Sequence, residues 1–248
     1  MEILMTDKKS HAVWETAKTI LYAVLIAVAI RSIAYEPFSI PSGSMIPSLL
    51  VGDYLFVSKF SYGYSRHSLP FSQPPIAGRI LFSEPERGDV VVFKLPADNK
   101  TDYIKRIVGL PGDKLQVRGG VLNINGQPVQ RERINDYIFR DESGNIRRAP
   151  RYNETLPNGR RHAIIEMDGD RSFSDETPVY TVPADHFFAM GDNRDSSQDS
   201  RFPRVGFVPK ENLIGRAEIL FFSIDGQAWK IWTWPWNVRF DRLFRRIE

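Results

Sequence analysis

The sequence predicts a mostly β protein, with an antiparallel sheet core, a smaller inserted β-rich domain and one transmembrane helix ahead of both. Three observations lead to this prediction. An apolar segment lies near the N-terminus, over residues 13–34. Short runs rich in Val, Ile, Tyr and Phe follow it, bounded by Gly, Pro or Asp as strands are. Residues 127–160 are polar and rich in turn formers, which indicates a less regular insertion.

The apolar segment is long enough to span a membrane once its flanking cations are counted. Its uncharged part, Thr19–Ile30, is shorter than the roughly 20 residues that cross the hydrocarbon. Lys18 and Arg31 border it, and both side chains can extend toward the interface. We therefore predict a helix over residues 13–34 that anchors the chain.

Charge around this helix predicts its orientation. Lysines precede the segment, and only Arg31 closely follows it. The positive-inside bias then places residues 1–12 in the cytoplasm and everything after Tyr35 outside. Two alternatives are a cleaved signal peptide, whose small-x-small end would be Ser32-Ile33-Ala34, and a buried helix of a soluble protein.

The strand-like runs divide into a core and an insertion. Asn125-Gly126 marks a hairpin turn inside one of them. Residues 61–87 hold four prolines and predict an extended arm. We assign residues 35–113 and 180–248 to the core and residues 114–179 to the inserted domain. The clearest runs are Asp53–Phe60, Gly88–Leu95, Asp102–Leu110 and Asp113–Gly126.

The tail, residues 229–248, combines aromatic and basic residues. It holds four of the five tryptophans. Apolar residues then recur with helical spacing among arginines, which predicts a short amphipathic helix suited to lipid headgroups. A helix packed on the β core is the alternative. The apolar positions are Phe240, Leu243, Phe244 and Ile247.

Composition excludes several classes of function. A formal net charge of +3 is too weak to indicate nucleic-acid binding, although it is compatible with an anionic membrane surface. The absence of cysteine rules out disulfides, thiol catalysis and Cys-ligated metals. None of the four histidines has a metal-ligand spacing. We therefore predict no cofactor, no metal and no nucleic-acid partner.

The stretch "PSGSMIPSLLVGDYLFV", residues 41–57, raises the question of a nucleophilic serine. It lacks the G-x-S-x-G pattern, and nothing in the sequence favours a Ser-His-Asp triad. Lysine can replace histidine as the base if apolar neighbours lower its pKa by about 3 to 4 units from 10.4. Lys105 meets this requirement, since Ile104 precedes it and Ile107 and Val108 follow on a predicted strand.

Four motifs in this order resemble the motif set of the bacterial type I signal peptidases. They are "PSGSMIPSLLVGDYLFVSKFSYG", "RGDVVVFK", "DYIKRIVGLPGD" and "GDNRDSSQDSR…GFVP". The resemblance implies a membrane-anchored serine endopeptidase of the bacterial inner membrane, with its catalytic domain on the outer side. It implies Ser44 as nucleophile and Lys105 as general base, without a cofactor. Secretory preproteins and membrane lipids would be its partners.

The resemblance also implies supporting roles and a substrate site. Cleavage would follow small-x-small sequences such as Ala-x-Ala, because bulky aliphatic walls leave shallow pockets. Asp192, Asn193 and Arg194 are interpreted as structural turn residues beside the site. The supporting residues are Ser42 in the oxyanion hole with the Ser44 N–H, Ser197 orienting the lysine, and an Asp199–Arg201 ion pair. The −1 pocket would comprise Ile40, Met45, Leu49 and Ile104, and the −3 pocket Phe38, Ile40, Leu55, Val92 and Ile104, with Tyr103 beside them.

Two other functions fit parts of the sequence. A self-cleaving repressor-type protease would share the β core and the serine–lysine dyad, but the hydrophobic N-terminus and the lack of a helix-turn-helix signal argue against it. A membrane-tethered β-domain could instead bind extended peptides without cleaving them.

Overall fold

One long helix precedes the β-rich part of the chain in the computed structural model. The structure describes residues 3–68, 77–140, 143–169 and 172–248, the side chains of residues 3–13 excepted. This helix, α1, spans Ile3–Ile33 and so begins ten residues before the predicted start. Residues 3–12 include good helix formers such as leucine, methionine and lysine, so they extend the apolar helix without interruption.

The apolar part of α1 does not pack on the rest of the protein. Trp14–Ile33 is long and apolar enough to cross a membrane. The most apolar part of this segment has no residue buried against the rest of the protein. Side chains such as Leu25 and Ile26 are more than half exposed. Lys18 pairs with Glu15 at 2.9 Å, which reduces the cost of placing both charges near the apolar surface. The apolar helix predicted from the sequence is therefore present, with the length and composition that a membrane span needs.

The described residues form sixteen strands in four antiparallel sheets. The largest has seven strands in the order β1-β2-β16-β5-β6-β14-β15. The others have the orders β13-β7-β8-β9, β10-β11-β12 and β3-β4. The bounds are β1 Tyr35–Ser39, β2 Asp53–Ser58, β3 Tyr64–Ser65, β4 Arg79–Ile80, β5 Val90–Lys94, β6 Asp102–Gly109, β7 Lys114–Arg118, β8 Val121–Ile124, β9 Gln127–Pro128, β10 Gln130–Arg140, β11 Ile146–Thr155, β12 Arg161–Ile165, β13 Tyr180–Thr181, β14 His186–Met190, β15 Val208–Pro209 and β16 Leu213–Ser223.

The hairpin predicted at Asn125-Gly126 is confirmed. These two residues join β8 to β9 and have φ values of 54° and 80°. Positive φ at both central positions is what a type I′ turn requires, and Asn-Gly is the pair that tolerates it best. The predicted arm contains the short ribbon β3-β4, but residues 69–76 of that arm lie outside the described residues.

Residues 127–160 are more regular than their sequence predicts. β10 and β11 pair over a long antiparallel register that begins at Gln130 opposite Thr155. Most of their side chains are exposed or half-buried on both faces, and Ala149 is one of the few buried ones. The two strands therefore lack the alternation of apolar and polar residues that predicts a strand, and their polar composition predicted turns instead. The division into a core and an inserted domain at residues 114 and 179 stays a prediction.

A continuous apolar layer supports the main sheet and faces the segment after β1. It joins β2, β5 and β16 through buried side chains, and the partly buried Phe38 of β1 and Ile247 of the tail pack against it. This layer fixes the ends of β1 and β2, between which the turn at Gly43–Met45 is held. The buried members are Ile40, Met45, Leu49, Leu55, Val57, Val90, Val92, Ile214, Ala217 and Leu220.

The tail does not form the predicted amphipathic helix. A four-residue helix, α2, spans Trp234–Asn237, a 3-10 turn covers Phe240–Arg242, and Phe244 beyond it has a φ of 59°, which no helix allows. The Phe244 N–H donates to the Leu220 carbonyl at 2.8 Å, so the end of the tail pairs with β16. The helical prediction was wrong because β16 extends beyond the end of β5 and offers free backbone groups to the tail.

A buried ion pair fastens the tail to the sheet. The Arg242 guanidinium makes two contacts with the Asp53 carboxylate, at 3.0 and 2.5 Å. The same side chain donates to the Ser48 carbonyl at 3.0 Å. Asp53 is fully buried, and it also accepts from the Leu50 N–H and the Ser223 hydroxyl. The tail therefore reaches the segment that follows the Gly43–Met45 turn.

This ion pair predicts a difference between two arginines of the tail. Arg242→Met leaves Asp53 buried without its main partner, and we expect it to lower the free energy of unfolding by about 3 kcal/mol. Arg245→Met changes an exposed side chain and should shift that value by less than about 0.5 kcal/mol. Urea unfolding of the full chain in detergent measures both. Equal effects would show that the tail is not fastened through Arg242.

Candidate active site

Ser44 lies on the 3-10 turn Gly43–Met45, between β1 and β2. It is 8% exposed, so the residue is buried except for a small part of its surface that solvent reaches. Asn193 holds the turn from the opposite side, because its N–H donates to the Ser44 carbonyl at 3.1 Å and its amide donates to the Gly43 carbonyl at 3.1 Å. The loop after β14 thus positions the serine.

Lys105 reaches this serine from the neighbouring strand β6. Its Nζ lies 2.7 Å from Ser44 Oγ, within hydrogen-bond distance, and it also donates to the Ile104 carbonyl at 2.8 Å. The residue pairs across the sheet with Val91 and is 3% exposed. The Tyr103 ring lies 5.4 Å from the ammonium position. The two residues that the sequence singles out are therefore in contact.

Burial lowers the pKa of Lys105 from 10.5 to about 8, because the surrounding protein solvates its charge poorly. The carboxylates of Asp199 and Asp192 act in the opposite direction. Both are engaged with arginines: Asp199 with Arg201, and Asp192 with Arg106. A neutral amine is therefore accessible near neutral pH, and its lone pair lies beside a hydroxyl.

Ser42 lies next to the pair. Its Oγ is 3.4 Å from Ser44 Oγ, and it lines the same cleft. Ser42 has extended backbone geometry ahead of the turn, with φ −125° and ψ 152°. Its hydroxyl and the Ser44 N–H therefore belong to one short segment.

Ser197 is buried nearby but makes no hydrogen bond to Lys105. Among the described residues its hydroxyl has no hydrogen-bond partner. It lies against Gly191, since a Cβ at that glycine would come within 2.2 Å of Ser197 Oγ. The role of Ser197 in orienting the lysine stays a prediction.

Asp199 and Arg201 form a buried ion pair in the same loop. The Arg201 guanidinium donates to both carboxylate oxygens at 2.9 Å, and Asp199 also accepts from the Gly191 N–H at 3.0 Å. Burial opposes ionisation of Asp199, but the guanidinium holds the pKa of its carboxyl below the usual range. The pair therefore fixes the loop that carries Ser197.

Sequence reasoning missed the role of Arg106. This residue is 1% exposed and pairs with both oxygens of Asp192, at 2.9 and 2.7 Å. It also donates to the Gly88 and Glu248 carbonyls at 2.7 Å. The signal was a charged residue inside an apolar strand, because such a residue requires a buried partner. The turn residue Asp192 is that partner.

A cleft of about 680 Å³ opens beside the dyad. Five of the eight predicted substrate-contacting residues line it, and no histidine is among the described residues that do. The other three predicted residues are fully buried in the apolar layer behind the wall. The lining group is Phe38, Ile40, Val92, Tyr103 and Ile104, and the buried group is Met45, Leu49 and Leu55.

The chain is similar to known signal peptidases along most of its length. The family model described as signal peptidase, peptidase S26, matches residues 13–222. Signal peptidase I of Rickettsia canadensis (strain McKiel) is 40% identical and the match covers 98% of this chain and 95% of that protein. Signal peptidase I of Rickettsia typhi (strain ATCC VR-144 / Wilmington) is 38% identical, with 97% and 96% covered. The chain also matches a crystal structure of a signal peptidase I from Enterococcus faecalis V583. The two sequences are 23% identical, the match covers 54% of this chain and 97% of that one, and the TM-score is 0.31.

The lowered pKa of Lys105 predicts a stability change that depends on pH. The folded chain binds this proton more weakly than the unfolded chain, so below pH 8 the charged amine destabilises the fold by up to about 3 kcal/mol. The destabilisation disappears as pH rises through 10.5. We expect Lys105→Met to raise the free energy of unfolding by up to about 3 kcal/mol at pH 7 and by less than about 1 kcal/mol at pH 10.

Urea unfolding in detergent at both pH values measures this difference. Lys100→Met is the matched control, because Lys100 is exposed and its replacement should have a small effect at either pH. An equal effect of Lys105→Met at pH 7 and pH 10 would mean that the pKa of Lys105 is not lowered.

Proposed function

Because the chain belongs to the signal peptidase family, peptidase S26, it is a serine peptidase that cleaves signal peptides, and we propose that Ser44 is its nucleophile and Lys105 its general base. The distance of 2.7 Å between Lys105 Nζ and Ser44 Oγ, inside a buried site, is the observation that carries the proposal. A nucleophile and base within hydrogen-bond reach are the geometric requirement for covalent catalysis.

The first half of the reaction follows from this contact. The neutral amine of Lys105 accepts the Ser44 proton while Oγ attacks the scissile carbonyl carbon. The carbonyl oxygen becomes negatively charged in the tetrahedral intermediate. The Ser44 N–H and the Ser42 hydroxyl donate to it, a stabilisation commonly worth about 3 kcal/mol per donor. The Lys105 ammonium then protonates the leaving amine, and the mature protein departs.

The second half uses the same base. Lys105 is neutral again after it protonates the leaving group, so it can accept a proton from the water that attacks the acyl-Ser44 ester. Collapse of the second tetrahedral intermediate returns the proton to Ser44 Oγ and releases the signal peptide. Apart from the substrate's carbonyl oxygen, the amine is the group whose charge changes in the two halves as described.

Supporting residues keep the two reacting atoms in place. Asp199 and Arg201 fix the loop behind the dyad, and Ser197 in that loop has a hydroxyl free to donate or accept when the amine changes protonation. Arg106 with Asp192 anchors β6 immediately beyond Lys105. We assign these residues positioning roles, because none of them contacts Ser44 Oγ in the described structure.

The cleft favours precursors with small side chains at the −1 and −3 positions, which are separated by one residue. Ile104 and Val92 come from paired positions of β6 and β5, and Phe38 and Ile40 come from β1 and the residue after it. These bulky walls are held rigid by the buried layer behind them, so a large side chain at −1 or −3 would clash. An extended precursor segment beside the exposed strand edges would gain backbone hydrogen bonds, as in strand addition.

Membrane anchoring fits a substrate that is itself embedded in lipid. We propose that α1 crosses the bacterial inner membrane once and that the β-rich part lies on its outer side, as the positive-inside bias predicts. The tail presents large exposed aromatic side chains beside this part. Aromatic residues of this kind settle at lipid headgroups. They are Trp229, Trp232, Trp236, Phe240 and Phe244.

Removal of either member of the dyad should abolish cleavage. We expect Ser44→Ala and Lys105→Met each to lower kcat/KM for a secretory precursor by at least about a thousandfold. Gel analysis of precursor processing by the detergent-solubilised chain measures this loss. In the wild-type chain, kcat/KM should fall about tenfold per pH unit below the Lys105 pKa of about 8 and level off above it.

The controls are Ser83→Ala and Lys100→Met, which remove the same groups from exposed positions. Arg106→Ala is unsuitable as a control because Arg106 is buried and paired with Asp192. Processing by either dyad variant at the wild-type rate would refute the dyad, and so would a profile that stays flat down to pH 5. No processing by any version would favour a binding module.

The tail surface makes a separate prediction about lipid contact. In a Trp14→Phe background, vesicles with brominated acyl chains should quench the fluorescence of the remaining tryptophans, because bromine quenches only rings at membrane depth. Unbrominated vesicles are the control. Strong quenching by aqueous iodide together with no quenching by brominated lipid would place the tail in water and remove this part of the proposal.

A further inference from the structure

A cavity apart from the catalytic cleft, which we call the tail cavity, lies between the tail and the β10-β11-β12 sheet. Its volume is about 680 Å³, within the range of sites that hold small molecules. One wall is the end of the tail, and another is formed by β11 and β12. The third wall comprises Pro47, Ser48 and Leu50, which closely follow the Gly43–Met45 turn of the catalytic serine. Segments that are distant in sequence therefore meet around this cavity.

The tail cavity is strongly basic. Five arginines line it, and among the described lining residues they face a single acidic side chain, Glu248. Carboxylates outside the lining neutralise two of the five: Arg242 pairs with the buried Asp53, and Arg161 pairs with Glu132. The cavity therefore keeps an excess of positive charge. The other three arginines are Arg151, Arg245 and Arg246.

These three guanidinium groups have no acidic partner among the described residues. They form no ion pair there, not even with Glu248, and they donate no hydrogen bond. Arg151 is the clearest case, because its Nε is buried without an acceptor, whereas Arg245 and Arg246 are exposed. A buried guanidinium nitrogen without an acceptor is costly, since arginine stays charged in proteins. Arg151 therefore calls for a compensating anion.

A neighbouring cavity of about 640 Å³ is equally rich in arginine but is compensated. Arg161 and Arg246 line both cavities. The three arginines that line only the neighbouring cavity each pair with a carboxylate of the chain. The fold thus supplies carboxylates on that side and leaves the arginines of the tail cavity open to an external anion. The pairs are Arg106–Asp192, Arg160–Glu86, Arg160–Asp89 and Arg216–Glu218.

The donors of the tail cavity suit an anion with several oxygens. A guanidinium group binds phosphate through two parallel N–H···O hydrogen bonds, which makes arginine the usual residue for phosphate recognition. Asn153 lies two residues after Arg151 on β11, so strand alternation places both on one face. Tyr137 of β10 lines the cavity as well, and its hydroxyl and the Asn153 amide can donate to further oxygens. Donors that converge from several segments fit a phosphate better than a carboxylate, which has two oxygens.

We propose that the tail cavity binds a phosphate group, with Arg151 and Arg246 as its main ligands. The group belongs to a free phosphate ion or to the headgroup of an anionic phospholipid, since both present the same oxygens. Bound phosphate joins β11 to the tail and stabilises the fold. It takes no part in cleavage, because neither Ser44 nor Lys105 lines this cavity.

Phosphate binding to the full chain in a phosphate-free detergent tests the proposal. At pH 7.5 and constant ionic strength, titration calorimetry should show one saturable site per chain. At a hundredfold excess over the Kd, the thermal midpoint should rise by about 5 °C or more. Short-chain phosphatidylglycerol, added as monomers, separates the two sources, with short-chain phosphatidylcholine as the control for detergent-like effects. Tighter binding than that of phosphate identifies a lipid headgroup, and equal or weaker binding identifies the free ion.

Charge-removing variants locate the site. Arg151→Met should weaken phosphate binding at least about tenfold, because a charge-assisted hydrogen bond is lost. Arg148→Met is the matched control, since Arg148 is exposed on the same strand and does not line the cavity. If Arg151→Met does not fold, Arg246→Met gives the same test from an exposed position.

Three results would overturn the proposal. One is the absence of saturable binding with both phosphate and phosphatidylglycerol. Another is an unchanged affinity in Arg151→Met, since the anion would then bind elsewhere. The third is an equal loss in Arg148→Met, which would show general attraction to a basic surface rather than a site.

Discussion

The structure depends on one buried amine that lies beside a hydroxyl. Lys105 keeps a lowered pKa because β6 carries it into the main sheet, where side chains of neighbouring strands exclude water. Burial of this kind destabilises the charged form by several kcal/mol, and the rest of the sheet must offset it. The apolar layer behind β1, β2, β5 and β16 supplies that stability. It also fixes the turn that presents Ser44.

The two adjacent basic residues of β6, Lys105 and Arg106, have different kinds of partner. Arg106 has a carboxylate partner in Asp192, whereas the Lys105 amine hydrogen-bonds to a hydroxyl and a carbonyl among the described residues. Strand alternation makes this possible, because neighbouring side chains point to opposite faces. A carboxylate in contact with Lys105 would raise its pKa and remove the base. The carboxylates of Asp192 and Asp199 are instead engaged by arginines, so their effect on the amine is small compared with that of burial.

The apolar helix α1 and the cleft are joined by very little chain. α1 ends at Ile33 and β1 begins at Tyr35, so the residues that wall the cleft follow the helix within a few positions. Arg31 and Glu36 pair at 3.0 Å across this junction and both line the cleft. The apolar helix and the residues that line the cleft are therefore joined without a long linker.

Features that depend on a few neighbouring residues could be predicted from the sequence. Apolar length indicated α1, Asn125-Gly126 indicated a type I′ hairpin, and an apolar strand around Lys105 indicated a base for Ser44. Tertiary structure alone decided the features that depend on distant pairing. The end of the tail makes backbone hydrogen bonds to β16 because that strand had free backbone groups there. The β10–β11 hairpin formed although its polar residues lack alternation. Local periodicity reports which face of an element is apolar, but not which distant segment will satisfy its edge or its buried charges.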